Sequence, residues 1–151
     1  MGVGALVIRT PYTTDNPLTL GDAVLAIDGT SFSAVVPFDR VTIVDTRVGD
    51  PGWTASVDRG DLTNGGGGVI AALRTGFEGV TAVYLSGEAV QRIDVSDVRA
   101  NQGSDDPEPF AVAAPGGGTG AVEIVGDLVL EQVPTSTPAG TYTTTIVFTV
   151  G

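Results

Sequence analysis

Residues 141–150, TYTTTIVFTV, alternate with a period of two. Tyr142, Thr144, Ile146, Phe148 and Val150 fall on one side of an extended chain, and Thr141, Thr143, Thr145, Val147 and Thr149 on the other. Successive strand side chains point to opposite faces, whereas a helix repeats every 3.6 residues, so this pattern demands a pleated strand with one buried face. β-Branched and aromatic residues suit such a surface. The period recurs in WTASVD (53–58), with Trp53, Ala55 and Val57 facing inward. It recurs again in AVEIVGDLVLEQV (121–133), where Val122, Ile124, Leu128 and Leu130 share a face and Gly126 marks a bulge or bend. Weaker strands are expected at 4–10, 22–28, 31–36, 40–45, 80–86 and 89–95. The one helix candidate, VIAALRTGF (69–77), is two turns at most and reads equally well as a loop.

Turn chemistry punctuates these runs. DGT (28–30) is a tight hairpin signal, GDPG (49–52) a second turn, and TPAG (137–140) a type I turn closed by Gly140 in the αL conformation. The glycine clusters at 65–68 and 116–118 read as mobile loops. Neither is followed by Lys-Ser/Thr or opens a long helix, so neither is a phosphate cradle. Short strands with turn signals about every ten residues predict an all-β fold, an Ig-like antiparallel β-sandwich with Gly-rich loops. A chain of 151 residues fits a single domain (1–151) that buries about two-thirds of its unfolded surface. Residues 1–12 read as an edge strand or N-terminal arm. Pairing within the chain's own sandwich is expected, and addition to a neighbour's sheet is the alternative.

Charge and missing residue types narrow the function. The formal net charge is −11, and every cation is Arg: 9, 40, 47, 59, 74, 92 and 99. Such a surface repels polyanions, which argues against nucleic acid and anionic membranes as partners. His and Cys are absent, which removes the usual neutral-pH base, thiolate chemistry and the commonest transition-metal ligands. Lys is absent too, so Ser or Thr nucleophiles have no obvious base. A carboxylate pair is the remaining catalytic option, and the 6% aromatic content is thin for sugar platforms. The expectation is a non-enzymatic protein without a cofactor. The opening MGVGALVIRTPY does not read as a signal peptide, because its apolar part is short and Arg9 interrupts it. The expectation is a mature fragment or a protein needing no export.

Several polar clusters invite sharper readings. Asp105, Asp106 and Glu108 in SDDPEP offer oxygen ligands for Ca²⁺, but their spacing does not match an EF-hand loop and Pro107 and Pro109 restrict wrapping, so a solvated loop is expected. Asp58, Asp61 and Asn64 stand similarly. RGD at 59–61 is a cheap match in a Gly- and Asp-rich chain and is not expected to act as a recognition tripeptide. Trp53 reads as a core anchor. Asp45 is expected to accept backbone N–H bonds across the GDPG turn and to pair with Arg47. Tyr142 is expected to bond back through its hydroxyl at a sandwich corner.

LVIRTPYTTDNPLTLGDAVLAIDGT (6–30), VTIVDTRVGDPGWTASV (41–57) and GDLVLEQVPTSTPAGTYTTTIVFTV (126–150), in that order, resemble the WxL-like β-sandwich domains of Gram-positive, especially actinobacterial, surface proteins. The Trp motif here is WTA rather than Trp-x-Leu, and the second motif expected near 76–85 reads GFEGVTAVYL without Trp. The resemblance implies a β-sandwich of extracellular, structural, non-enzymatic character. Two expectations follow. The first is a structural protein on the outside of a large assembly, most concretely a bacteriophage capsid or virion decoration protein acting through protein contacts. The second is a secreted cell-surface domain binding cell-wall polysaccharide or a protein partner. Localisation is correspondingly the virion surface or the cell surface, with homo-oligomers open in either case.

Overall fold

The computed structural model describes residues 4–13, 15–87, 93–102 and 107–151, with the side chains of Asp39 and Arg40 outside that description. Two antiparallel sheets face each other. In the first, β1 (Leu6–Arg9), β3 (Ser31–Asp45), β10 (Gly120–Pro134) and β7 (Thr75–Gly87) lie in that order, and β2 (Val24–Leu25) pairs with the far end of β3. In the second, the order is β11 (Ile146–Val150), β4 (Trp53–Arg59), β9 (Glu108–Ala113) and β8 (Ile93–Val95). A short hairpin, β5 (Leu62–Thr63) with β6 (Val69–Ile70), stands apart. The all-β sandwich expected from the period-two runs is therefore present.

The alternation places the core. In β4, Trp53, Ala55 and Val57 are buried while Thr54 and Asp58 are exposed. Val41 and Ile43 of β3, Val122, Ile124 and Leu128 of β10, and Phe110 of β9 join them in one cluster between the sheets. Edge-to-face rings cross it: Phe38 to Phe77 at 5.0 Å, Phe77 to Phe148 at 5.8 Å, and Phe148 to Phe110 at 5.8 Å. Phe38 and Phe77 belong to one sheet and Phe148 and Phe110 to the other, so this chain ties the layers together. Such pairs contribute about 0.5–1.5 kcal/mol each beyond simple burial. A second cluster, including Leu62, Ile70, Leu130 and Val133 with Tyr142 against it, sits where the β5–β6 hairpin meets the lower end of the first sheet.

Three differences from the sequence expectations have local causes. The separate strands at 31–36 and 40–45 are one bent strand, β3. Residues 39 and 40 together face Val125 of β10, and residues 79 and 80 of β7 face Gly126, so both neighbours bulge at one level. The bend expected at Gly126 is real, but the extra residues belong to the flanking strands. A Cβ at Gly126 would stand 2.9 Å from the Glu78 carbonyl oxygen and 3.1 Å from the Phe38 ring, which is why only Gly fits there.

Second, β9 begins at the end of the stretch read as an acidic loop (104–109) and runs on through Ala113, where no strand was expected. A bulge at Phe110 makes Phe110 and Ala111 consecutively buried, which breaks the alternation that would have announced a strand. Third, the run 141–150 keeps its predicted facing but joins the sheet only from Ile146. Thr143 bridges instead to Thr63 of the β5–β6 hairpin. The helix candidate resolves into β6, a 3-10 turn at Ala72–Arg74 and the start of β7. Of the strand expected at 89–95, residues 89–92 lie outside the described residues and Ile93–Val95 is β8. β1 pairs with β3, Leu6 opposite Asp45 through Arg9 opposite Thr42, so residues 6–9 form an edge strand of the chain's own sandwich.

Candidate functional site

The charged stretch before Trp53 is built from the inward parity of β3. After the bulge, Val41, Ile43 and Asp45 all point into the sandwich, so the carboxylate of Asp45 is fully buried at the strand end. A charge in that position needs a partner. Arg47 supplies it two residues on: Nε lies 2.9 Å from Asp45 Oδ1, Nη2 lies 3.0 Å from Oδ2, and the Arg47 backbone N–H donates to Oδ1 at 3.0 Å. Arg47 Nη2 also donates to the Gly52 carbonyl at 2.7 Å, drawing the far side of the turn onto the pair.

Asp50 takes φ of +46°, tolerable for Asp, and its carboxylate accepts from the Gly118 N–H at 2.9 Å. The Trp53 indole N–H points at the Gly118 carbonyl at 3.4 Å. GDPG and the glycine cluster at 116–118 are thus one joint, with Gly118 against the Trp53 ring. Asp45, Arg47 and Trp53 come together as the sequence suggested. Asp45 bonds only the Arg47 N–H among the backbone groups of this turn, and the bond that crosses it comes from Arg47.

Tyr142 donates its hydroxyl hydrogen to the Pro138 carbonyl at 2.5 Å, closing the expected corner. Gly140 there has φ of +153°, not the αL value assigned to it from the TPAG pattern. The corner packs on the 64–68 loop, where Asn64 Oδ1 accepts from the N–H groups of Gly66 (2.8 Å) and Gly68 (2.9 Å). A Cβ at Gly68 would fall 2.3 Å from the Tyr142 hydroxyl. The glycine loops expected to be mobile are both pinned by side-chain carbonyl or carboxylate oxygens. Tyr142→Phe should lower stability by about 1 kcal/mol, one ordinary hydrogen bond; urea unfolding checks it.

Arg59 is the polar residue that the sequence reading missed. It continues the inward set Trp53, Ala55, Val57 and is 2% exposed. Its Nη1 donates to the Thr75 carbonyl at 2.6 Å and its Nη2 meets Glu108 Oε1 at 3.2 Å, bolting β4 to both β7 and β9. The RGD tripeptide is therefore not displayed as a unit: Arg59 is buried, and Asp61, though exposed, accepts the Ala72 N–H at 2.8 Å. Of the Ca²⁺ candidates, Asp105 and Asp106 lie outside the described residues, and Glu108 is a strand residue held by Arg59. Among the described residues no group of three His, Cys, Asp or Glu is placed to hold a metal ion.

Away from these joints, the outer face of the first sheet carries a groove of about 430 Å³ across β2, β3, β10 and β7. Val35 and Val129 form its floor, and Asp22, Glu78, Asp127 and Glu131 stand around it. Burial raises the Glu78 carboxyl above its ordinary range, reinforced by the negative charges of Glu131, Asp97 and Asp127, with Arg99 opposing. Beside the groove, the β2–β3 hairpin exposes Val24, Leu25 and Ile27. Its tip is stiffened by Asp28 Oδ1, which accepts from the Thr30 N–H (3.1 Å) and hydroxyl (2.7 Å).

The two kinds of carboxylate have opposite pH signatures. The hydrogen bond from Arg47 holds Asp45 below its ordinary 3.8, against burial. Its contribution is present above pH 3.8 and is lost as pH falls through the lower folded value. Glu78, raised above 4.5, costs stability at neutral pH, and that cost is relieved as pH falls through its folded value toward 4.5. Glu78→Gln should therefore raise the thermal midpoint at pH 7, with the gain fading by pH 4. Wild type should lose stability steeply below pH 3.8. Thermal melts from pH 7 to 2.5 read both.

No family model, curated protein or solved structure matches the chain. No helix among the described residues is long and apolar enough to cross a membrane.

Proposed function

We propose that the chain is a non-enzymatic structural protein that acts by protein–protein contact on the outside of a large assembly, most concretely as a virion decoration protein. The observation that carries this reading is the β2–β3 hairpin. It presents Val24 (67% exposed), Leu25 (51%) and Ile27, which is fully exposed, from a turn that its own hydrogen bonds hold rigid. Apolar residues grouped on a stiff projection and rimmed by carboxylates suit a partner contact. The side chains of Asp45, Arg47, Asp50, Arg59 and Tyr142 are engaged in holding loops and strands together. That use of polar groups fits a rigid body presenting surfaces.

Particles purified from the natural source should contain the chain by mass spectrometry. Leu25→Asp with Ile27→Asp should abolish incorporation without lowering the melting temperature. Absence of the chain from purified virions sinks the decoration reading. The second reading, a WxL-like cell-surface domain, draws on DTRVGDPGW and TPAGTY, the stretches that carry the resemblance. Cosedimentation with purified peptidoglycan supports that reading over the first.

A further inference from the structure

The groove across the outer face of the first sheet combines an apolar floor with acidic walls. Its floor is apolar: Val35 is 60% exposed although it sits mid-strand in β3, and its partner across the sheet, Val129, is buried beside it. Its walls carry Asp22, Glu78, Asp127 and Glu131, and no cation lines it among the described residues. We propose that this groove docks an extended basic segment of a partner protein, with Arg or Lys stems lying on Val35 and their head groups among the four carboxylates. The inference rests on the reading of the chain as a contact protein and names the chemistry of one partner.

Charge complementarity selects this occupant. An acidic segment is repelled, and a second copy of a chain carrying −11 charges is disfavoured at an acid-walled face. A purely apolar segment would leave the clustered carboxylates desolvated without compensation, and burial already strains Glu78 in that direction. Long basic side chains satisfy both surfaces, because their methylene stems cover apolar area while the charge stays at the rim. The dimensions agree. Four neighbouring strands span three gaps of about 4.8 Å, roughly 14 Å, which about four extended residues cross. A cation would also relieve the mutual repulsion of Glu78, Glu131 and Asp127, so binding should weaken Glu78 protonation and fall with salt.

The test uses fluorescein-labelled Arg-Val-Arg-Val-Arg-Val read by fluorescence polarisation with the whole chain. Saturable binding is expected, weakened at least tenfold by Glu78→Gln/Asp127→Asn/Glu131→Gln and by Val35→Arg. A charge-matched control on exposed carboxylates elsewhere, Asp15→Asn/Asp58→Asn/Asp94→Asn, should change it less than twofold. An Arg-Ser repeat of equal charge should bind at least fivefold more weakly. Equal losses in the two triple variants would mean attraction to net charge alone and overturn the proposal, as would no binding by wild type or equal affinity for the Arg-Ser peptide. These failures leave the decoration reading standing if the chain is found in purified particles. Absence from particles removes that reading whatever the peptide does.

Discussion

Trp53→Ala should destabilise the protein by roughly 3–5 kcal/mol, the range for truncating a buried aromatic. Trp53 is 4% exposed and belongs to the cluster between the sheets. Its ring also backs the Gly118 segment, so truncation opens a cavity and frees the 116–118 loop together. Urea unfolding followed by far-UV circular dichroism measures the loss as a lower midpoint at similar slope. If stability is unchanged and a partner contact is lost instead, Trp53 is a ligand platform and the anchor assignment is wrong.

Gly52→Val should cost about 3 kcal/mol or more. Gly52 takes φ of +79°, a conformation that β-branched residues rarely adopt, and a Cβ there would stand 2.5 Å from the Ala113 carbonyl oxygen. Backbone strain contributes about 1–3 kcal/mol and overpacking a similar amount. The backbone of β9's end cannot retreat easily, because Trp53 pairs with Ala113 across the same sheet. Gly49→Ala is the companion measurement. Gly49 also has positive φ, at +90°, but open space beyond it, so only the strain should appear and the loss should be the smaller. Equal losses would show that conformation alone decides the joint.

What was legible beforehand follows from which rules act locally. The inward set of β4, the shared face of Val122, Ile124, Leu128 and Leu130, and the facing of 142–150 all appeared as expected, because a period of two is set by the backbone of a single strand. The DGT hairpin and the Tyr142 corner were likewise readable, since each closes within a few residues. Arg59 was within reach of the same rule. Extending the alternation of WTASVD by one step places it inside, where a guanidinium must find acceptors.

β9 was not readable in this way, because its bulge puts Phe110 and Ala111 inward together. The union of 31–36 with 40–45 was equally hidden. The bulge at 39–40 reverses the parity, so a continuous strand looks like two strands out of phase. The glycine loops misled for a related reason. A run of Gly signals conformational freedom, and only the distant partners Asp50 and Asn64 show that the freedom is used to bring N–H groups onto a side-chain oxygen.

By itself, then, the amino-acid order determined the all-β class, the buried face of each regular strand, and the local turns, since these depend on side-chain alternation and on contacts a few residues apart. The tertiary structure alone decided how the strands pair, where both flanking strands bulge beside Gly126, and that the GDPG turn docks on a loop 68 residues away. It also decided that Asp22, Glu78, Asp127 and Glu131 share one groove with Val35. Those carboxylates come from β7, β10 and the approach to β2, and only the register between strands distant in sequence sets which side chains become neighbours on a sheet face.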